Sequence, residues 1–343
     1  MTLKLVSDQI VNNDPLASSL TPMKNSSSVA KIGKDILSNS QDEISGFIHE
    51  YKRLDKEKIK ARSIVLSMPF GFLFVKMYDT KSSKEGVALF NAAQAEPDQK
   101  KVLELYLQAA IKGNVDAMNC LGDRFFTGSD TESNKMEAAK WYKLATDHND
   151  AKGMYHLARC CTDEKEAFNW YKLSADRGHV DARYRVAVCY EKGYGCSIDL
   201  KEAAKYYKLA TFAGNTDGIF KLAVFYEKGY GISKNEREAA LLFRLAAQKG
   251  HNHARYKIGA CLEKGIGVSK DEKDAARWYQ HAADGNDPYA MNSLGEMHLK
   301  GTAVEKNKKK AFGWFFLSST KGLTKGLCNL GMCHQMGIGC QAL

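Results

Sequence analysis

Along the last two-thirds of the chain, one arrangement of apolar and polar positions recurs at an interval of 36 residues. A first segment of each repeat carries large apolar residues four apart, as at Val186 and Tyr190. This spacing puts the apolar side chains on one face of an α-helix and differs from the alternation of a strand. A second segment carries paired alanines before an aromatic pair, as between Ala275 and Tyr279. Each repeat is therefore predicted to form two helices.

Glycines and helix-capping residues separate these segments. The first helix of a unit is predicted to end at a Gly-x-Gly step such as 229–231, and the second to begin at a capping stretch such as 233–236. One aromatic position of the second helix marks every unit, at intervals of 36, 29, 36, 36, 36 and 36 residues. The short interval arises where 161–164 replaces the glycine loop, a deletion of seven residues. The markers are Tyr106, Tyr142, Tyr171, Tyr207, Phe243, Tyr279 and Phe315.

The recurring string Leu/Val-Gly/Ala-x-x-Tyr-x-x-Gly-x-Gly-Val, followed by Asp-x-x-x-Ala-x-x-Trp-Tyr-x-x-Ala-Ala, resembles the Sel-one-like repeat (SLR) family, a relative of the tetratricopeptide repeat. The resemblance covers about residues 81 to 343. It implies an all-α fold, a right-handed α-solenoid of antiparallel helix pairs with the form of a tetratricopeptide-like superhelix. Neighbouring pairs must stack, because one pair alone cannot bury its apolar face.

Three regions follow from this pattern. Residues 1–40, rich in Ser and Asn, are predicted to be disordered. Residues 41–80 are predicted to form a helical N-terminal cap or linker, and residues 81–343 a solenoid of about seven units, the last incomplete. The final unit has a first helix without a second. Either that helix packs by itself, or its face meets a partner or a second copy of the chain, or the sequence is incomplete.

The stretch 63–78 is apolar but short. A bilayer span needs roughly 20 residues, and Pro69 and Gly71 interrupt this stretch. It is predicted to pack as a cap against the first repeat, and the alternative is a segment that touches a membrane or a partner. The start of the chain lacks the apolar core of a signal peptide. A cytoplasmic location is therefore expected.

Charge and cysteine usage narrow the function further. The net charge is +10, and seven of the lysines lie in residues 300–343 beside one acid. The run from Lys306 to Lys310 is either a solvated helix start or a surface for an acidic partner or anionic lipid head groups. No basic stripe alternates with stacking aromatics, so nucleic acid is not expected. Four of the nine cysteines recur on first helices and none lies on a second helix, so the disulfide that links the helices in secreted cysteine-rich relatives cannot form here.

No catalytic, cofactor or metal site is predicted. The Gly-x-Gly steps follow helices and recur along the array, whereas a nucleotide-binding loop follows a strand. The histidines show no metal-ligand spacing, although His251 and His253 form a His-x-His pair in a turn between repeats. No nucleophile, base and orienting group are arranged together.

The predicted binding surface lies on the first helices. Counting the small residue that opens each first helix as zero, positions four, five and eight face inward, and two, six and nine face the other way, because each residue turns a helix by about 100°. The resemblance implies that this second face lines a concave groove. Aromatic residues beside small apolar ones suit a peptide, and basic residues favour an acidic ligand; alternatively, the aromatics pack against the next unit. The predicted partner-binding residues are Tyr155, Tyr184, Phe220 and Tyr256 at position two, Val188 and Val224 at position six, and Arg185, Lys221 and Lys257 at position three.

The leading hypothesis is a non-enzymatic adaptor or scaffold that binds a protein or peptide partner through this face. The resemblance implies such a role, since relatives take part in quality-control assemblies, activate membrane enzymes or are bacterial proteins delivered into hosts. A membrane-peripheral regulator or activator of a membrane enzyme is the first alternative, and a bacterial effector acting on host proteins is the second. An enzyme, by analogy with cysteine-rich relatives that act on β-lactams, is disfavoured by the cysteine positions.

Overall fold

The computed structural model describes residues 84–128 and 133–338, all within the unit Lys81–Leu343. The predictions for residues 1–40 and 41–80, including the stretch 63–78, lie outside the described residues. The part of the chain that is described is all-α, as the repeat pattern predicts.

Fifteen helices occur within the described residues, and all but α1, α5 and α15 are 13 residues long. The helices pack chiefly against their neighbours in the chain, as sequential antiparallel pairs. This confirms the predicted tetratricopeptide-like solenoid. The pairs are α1 Lys84–Ala95 with α2 Gln99–Ile111, α3 Val115–Thr127 with α4 Lys135–Asp147, α5 Ala151–Cys160 with α6 Glu164–Asp176, α7 Val180–Lys192 with α8 Leu200–Phe212, α9 Thr216–Lys228 with α10 Glu236–Gln248, α11 Asn252–Lys264 with α12 Glu272–Asp284, and α13 Pro288–Lys300 with α14 Lys308–Thr320, followed by α15 Thr324–Gln335.

The core is a row of aromatic rings from the second helices, set among alanines. Small residues on the first helices let these rings approach closely: a Cβ added at Gly259 would overlap the Tyr279 ring. Burying a large apolar side chain stabilises the fold by about 1.5–3 kcal/mol. Most of the aromatic markers are therefore central to the stability of each unit. The markers with almost no exposed surface are Tyr142, Tyr207, Phe243, Tyr279 and Phe315.

Short polar side chains start the second helices. In α10 the Asn235 side chain accepts the backbone N–H groups of Arg237 and Glu238, both at 3.1 Å. Such an N-cap satisfies N–H groups that have no partner inside the helix. The same position is Asp98, Asn134, Asp163, Asp199, Asp271 and Asn307 in the other units.

The Gly-x-Gly steps end the first helices and bring successive units together. Gly229 caps α9 with a left-handed φ of 72°, and Gly231 follows with a φ of 64°. A Cβ at Gly231 would overlap the carbonyl of Leu200, the first residue of the preceding second helix. Only glycine fits this approach without strain. In the unit of α13, Ala303 takes the second glycine's place with a φ of 61°.

The shortened unit keeps both of its helices. Helix α5 has 10 residues, and Asp163 caps α6 almost directly afterwards. The deletion therefore removes the loop and the end of the first helix only.

Most of the recurring cysteines lie in the apolar core. Cys189, Cys261 and Cys333 are buried, and Cys160 is half-buried. Burial raises the pKa of Cys189 and of Cys261 to about 11. A thiol with a raised pKa is a poor nucleophile, so these side chains act as small core residues.

Candidate functional site

Four side chains at position two of α5, α7, α9 and α11 form what we call the aromatic ladder: Tyr155, Tyr184, Phe220 and Tyr256. Each is half-buried, and its ring lies against the aromatic marker of the same unit. Such ring pairs contribute about 0.5–1.5 kcal/mol beyond area burial. The ladder thus combines a packing role with a partly exposed surface. The ring-centroid distances are 5.7 Å to Tyr171, 5.9 Å to Tyr207, 5.8 Å to Phe243 and 5.8 Å to Tyr279, respectively.

Two rungs of the ladder also contact the next unit, through histidines that cap its first helix. Tyr155 stacks on His179 at 4.6 Å and Phe220 stacks on His251 at 4.2 Å between ring centroids. In each histidine Nδ1 accepts a backbone N–H of the following helix. Burial lowers the pKa of both histidines, which keeps the ring neutral and able to accept. The sequence hypothesis that these aromatics pack against the next unit therefore holds for Tyr155 and Phe220. It also holds for Tyr256, whose ring centroid lies 5.4 Å from that of Tyr289 on α13.

The residues at position six lie one helical turn after the ladder residues on the same first helices. Val188 on α7 and Val224 on α9 are half-buried and pack against the core clusters of their units. Ala260 occupies the same place on α11. The middle three units therefore present an aromatic ring and a small apolar side chain side by side.

Two of the three predicted basic residues are paired with glutamates. Lys221 Nζ lies 3.1 Å from Glu191 Oε1 on the preceding first helix, and Lys257 Nζ lies 3.1 Å from Glu227 Oε2. The Tyr207 hydroxyl also donates to Glu191, and burial together with this bond raises the pKa of Tyr207. These ion pairs neutralise both lysines. The predicted preference for an acidic ligand stays a prediction and now depends on Arg185, which is exposed.

Beyond the ladder, position two carries buried amides. Asn119 on α3 donates to Asp150 at 2.9 Å, and Asn292 on α13 donates to Glu296 at 2.8 Å. Asn292 also accepts from Asn329 at 2.8 Å. These side chains are engaged within the protein, so the apolar part of the surface runs from α5 to α11.

A histidine links the last rungs. His253 Nδ1 lies 2.8 Å from the Asp287 carboxylate, which itself caps α13. The His253 ring lies 5.7 Å from Phe220, 5.3 Å from Tyr256 and 5.4 Å from Tyr289 between centroids. No role for this histidine is predicted from the sequence. Its position directly before a small opening residue, where other units carry Asp181 and Asp217, is the signal that could have placed it at the surface.

The Sel1 repeat family model matches residues 115–150, 151–179, 180–215, 216–251, 252–287, 288–323 and 324–342. These segments follow the same boundaries as the helix pairs from α3 onward. The chain belongs to the Sel1 repeat family. A search of curated proteins returned no matching relative.

Solved Sel1 repeat structures share this architecture. A protective antigen present in uropathogenic Escherichia coli strains, which displays an SLR fold, is 25% identical over 73% of this chain, with a TM-score of 0.67. A Sel1 repeat protein from Oxalobacter formigenes is 26% identical over 69% of this chain and 99% of its own, with a TM-score of 0.60. The chain spans 56% of the length of the E. coli antigen.

Two other kinds of functional feature, metal-ligand clusters and membrane-spanning helices, are absent from the described residues. Within residues 84–128 and 133–338, no group of three or more His, Cys, Asp or Glu side chains could hold a metal ion. No helix in that part of the chain is long and apolar enough to cross a membrane. The aromatic ladder and its surroundings are therefore the strongest candidate site in the described residues.

Proposed function

We propose that this Sel1 repeat protein is a non-enzymatic adaptor that binds a segment of a protein partner across the aromatic ladder. The observation that carries the proposal is the recurrence of a half-buried ring at one position of four successive first helices. Repeats of this class use extended faces to bind proteins.

The packing of the ladder supports this role. Each ring is held by the marker of its own unit, and Phe220 is also held by His251. A side chain that is already fixed loses little conformational entropy on binding, so more of its contact energy appears as affinity. Val188 and Val224 add apolar surface beside the rings. The expected ligand is a peptide segment with apolar side chains.

The test is a selection of phage-displayed 12-residue peptides on the full chain, followed by fluorescence anisotropy with the enriched peptides. Tyr184→Ala is the most informative variant, because its only ring contact in the described structure is with Tyr207, at 5.9 Å. Phe220→Leu keeps an apolar side chain while removing the ring. We expect each variant to weaken peptide binding by about 10-fold, the effect of losing one hot-spot contact.

Phe212→Ala is the matched control, because Phe212 is 60% exposed on the second helix α8. It should leave the affinity unchanged, and circular dichroism should show that all three variants stay folded. If Phe212→Ala weakens binding as much as Tyr184→Ala, the ladder is not the binding surface.

The lysine-rich start of α14 favours a second role as a membrane-peripheral regulator. Lys308, Lys309 and Lys310 are exposed, and the first turn of α14 has no acidic residue. Anionic lipid head groups attract such a cluster. Co-sedimentation with phosphatidylserine vesicles that is lost on changing all three lysines to glutamine would support this role. Retention of binding would argue against it.

We propose that the adaptor works in the cytoplasm. Cys160, Cys189 and Cys261 carry free thiols on first helices, an arrangement suited to a reducing compartment. Detection of intramolecular disulfides in the native protein would contradict this location.

A further inference from the structure

The junction between α5 and α7 differs in charge from the two junctions that follow it. At those later junctions, the lysine at position three of one unit pairs with the glutamate at position nine of the unit before. At the earlier junction, position nine falls on Thr162, because the shortened unit has lost that part of its first helix and loop. Arg185, at the position of the two lysines, therefore has no glutamate partner.

A second arginine lies beside the first. Arg159 occupies position six of α5, where the next units carry Val188 and Val224, and both arginines are exposed. The Arg159 guanidinium lies 4.6 Å from the centroid of the Phe126 ring and 5.9 Å from that of Tyr155. Arg185 also interacts with Tyr155, so the two guanidinium groups flank one rung of the ladder. In the described parts of the chain, neither forms an ion pair with a carboxylate.

The side chains around Arg159 do not neutralise its positive charge. The Arg159 guanidinium is 3.3 Å from His156 Nδ1, and burial lowers the pKa of His156 to about 4, so that ring is neutral at physiological pH. The acid nearest to His156 is Asp123, at 3.7 Å. Asp123 already accepts the Tyr142 hydroxyl at 2.7 Å and lies 3.9 Å from Lys152.

The Arg159 guanidinium, which lies over two aromatic rings, and the Arg185 guanidinium, which interacts with Tyr155, are both suited to binding a carboxylate. They are planar and weakly hydrated, and they present paired donors that match the two oxygens of an Asp or Glu side chain. The ring contacts of Arg159 also limit the side-chain entropy that this residue loses when a ligand binds. A carboxylate here would be recognised at one end of the ladder, next to its apolar middle.

We propose that Arg159 and Arg185, with Tyr155 between them, form a subsite for an acidic side chain of the bound peptide, whose apolar residues lie on Tyr184 and Phe220. This inference rests on the proposed function, since it specifies the ligand of the same surface. In the short unit, the shortened first helix lacks the glutamate that neutralises the equivalent basic residue at the two later junctions. The preferred segment carries Asp or Glu at one end and apolar residues at the other.

The test compares two selections from the same 12-residue peptide library, one on the wild-type chain and one on the Arg159→Glu, Arg185→Glu double variant. Both side chains are exposed, so the variant should fold, which circular dichroism and the unfolding midpoint will check. We expect peptides enriched in Asp and Glu with wild type, and enriched in Lys and Arg with the variant. An enriched acidic peptide should bind the variant at least 10-fold more weakly than wild type.

Two comparisons make the result specific. A peptide with its acidic residue replaced by the amide should bind wild type and variant equally. Arg237→Glu, an exposed change on the second helix α10, should leave the affinity for the acidic peptide intact. Peptides that depend on Tyr184 but show no acidic enrichment would overturn this inference while leaving the proposed function standing. Failure of any peptide to bind would overturn both.

Discussion

Ala303 occupies the place where three earlier units carry the second glycine of the Gly-x-Gly step. Its φ of 61° lies in the left-handed region, where a Cβ costs about 1–2 kcal/mol. Part of that cost is offset, because Ala303 packs partly against the core. We therefore expect Ala303→Gly to raise the free energy of unfolding by about 0.5–1 kcal/mol. Urea denaturation followed by circular dichroism measures the change.

Replacing a glycine by alanine separates the cost of a left-handed backbone from the cost of a steric overlap. Gly231→Ala adds a Cβ that overlaps the Leu200 carbonyl, whereas Gly250→Ala adds one where nothing lies within 4 Å. Both glycines have positive φ angles, so both variants should lose stability, and Gly231→Ala should lose clearly more. Equal losses would show that the close approach between units does not constrain this position.

The residues of the candidate surface were predictable to different degrees. The turn of a helix alone locates Tyr184 and Phe220 on one face, and the structure has both half-exposed there. The pairing of Lys221 with Glu191 was not predicted, because the two residues are 30 positions apart and meet only through the docking of neighbouring units. The role of Tyr184 and Phe220 as ligand contacts stays a prediction, because a repeat fold specifies an extended surface and not the chemistry of its ligand.

At the scale of elements, α14 begins against the preference of the helix dipole. Its first turn is Lys308 to Lys310, whereas α8, α10 and α12 carry acidic residues there. Lys310→Glu removes a cation from the positive end and creates a capping box with Asn307. We expect Lys310→Glu to raise the free energy of unfolding by about 0.5–1 kcal/mol at low ionic strength. Urea denaturation measures this change.

The same charge change at the other end of the helix is the control. Lys321 is the C-cap residue of α14, where a positive charge is favourable. Lys321→Glu should therefore lower stability, and added salt should shrink both effects. If the two variants shift stability in the same direction, the cause is the net charge of the protein and not the dipole of α14.

The helices themselves were predictable because capping residues and glycines mark their boundaries in the sequence. Asn235 and Gly229, which begin and end helices in the structure, stand at positions where capping and left-handed residues are expected. Histidine as an N-cap was not predicted, since His179 and His251 belong to a residue type that rarely caps helices. Their alignment with Asn215, which caps α9, was the signal available in the sequence.

At the scale of the whole molecule, the fold follows from the repeat, because each unit can bury its apolar face only against its neighbours. The periodicity that predicts the fold gives little information about the function. Every unit carries nearly the same residues for packing, so a binding site stands out only where a unit departs from the pattern. The short unit that carries Arg159, next to Arg185 on the following first helix, is such a departure, and the glycine loop of the short unit is missing from the sequence.

The stability of the whole array should depend on pH through the histidines between its units. Burial is the main cause of the lowered pKa values of His156, His179 and His251, although nearby carboxylates such as Asp217 oppose the shift. The unfolded chain binds protons near pH 6.5, whereas these folded histidines bind them only at lower pH. Stability should therefore be complete above about pH 7.5 and fall as the pH drops through 6.5 towards 4, by at most about 1.4 kcal/mol per pH unit for each histidine.

Urea denaturation at pH values from 7.5 to 5 tests this dependence, with a His179→Asn, His251→Asn double variant as its matched control. Asparagine caps α9 at the same position by accepting the Gly218 N–H at 2.7 Å, so the variant keeps the hydrogen-bond acceptor without a titrating group. Its stability at pH 7.5 should change through the lost ring stacking, but its slope against pH should fall to roughly that of His156 alone. A slope equal to that of wild type would mean that other groups control the acid sensitivity, because the two capping histidines would then contribute none of it.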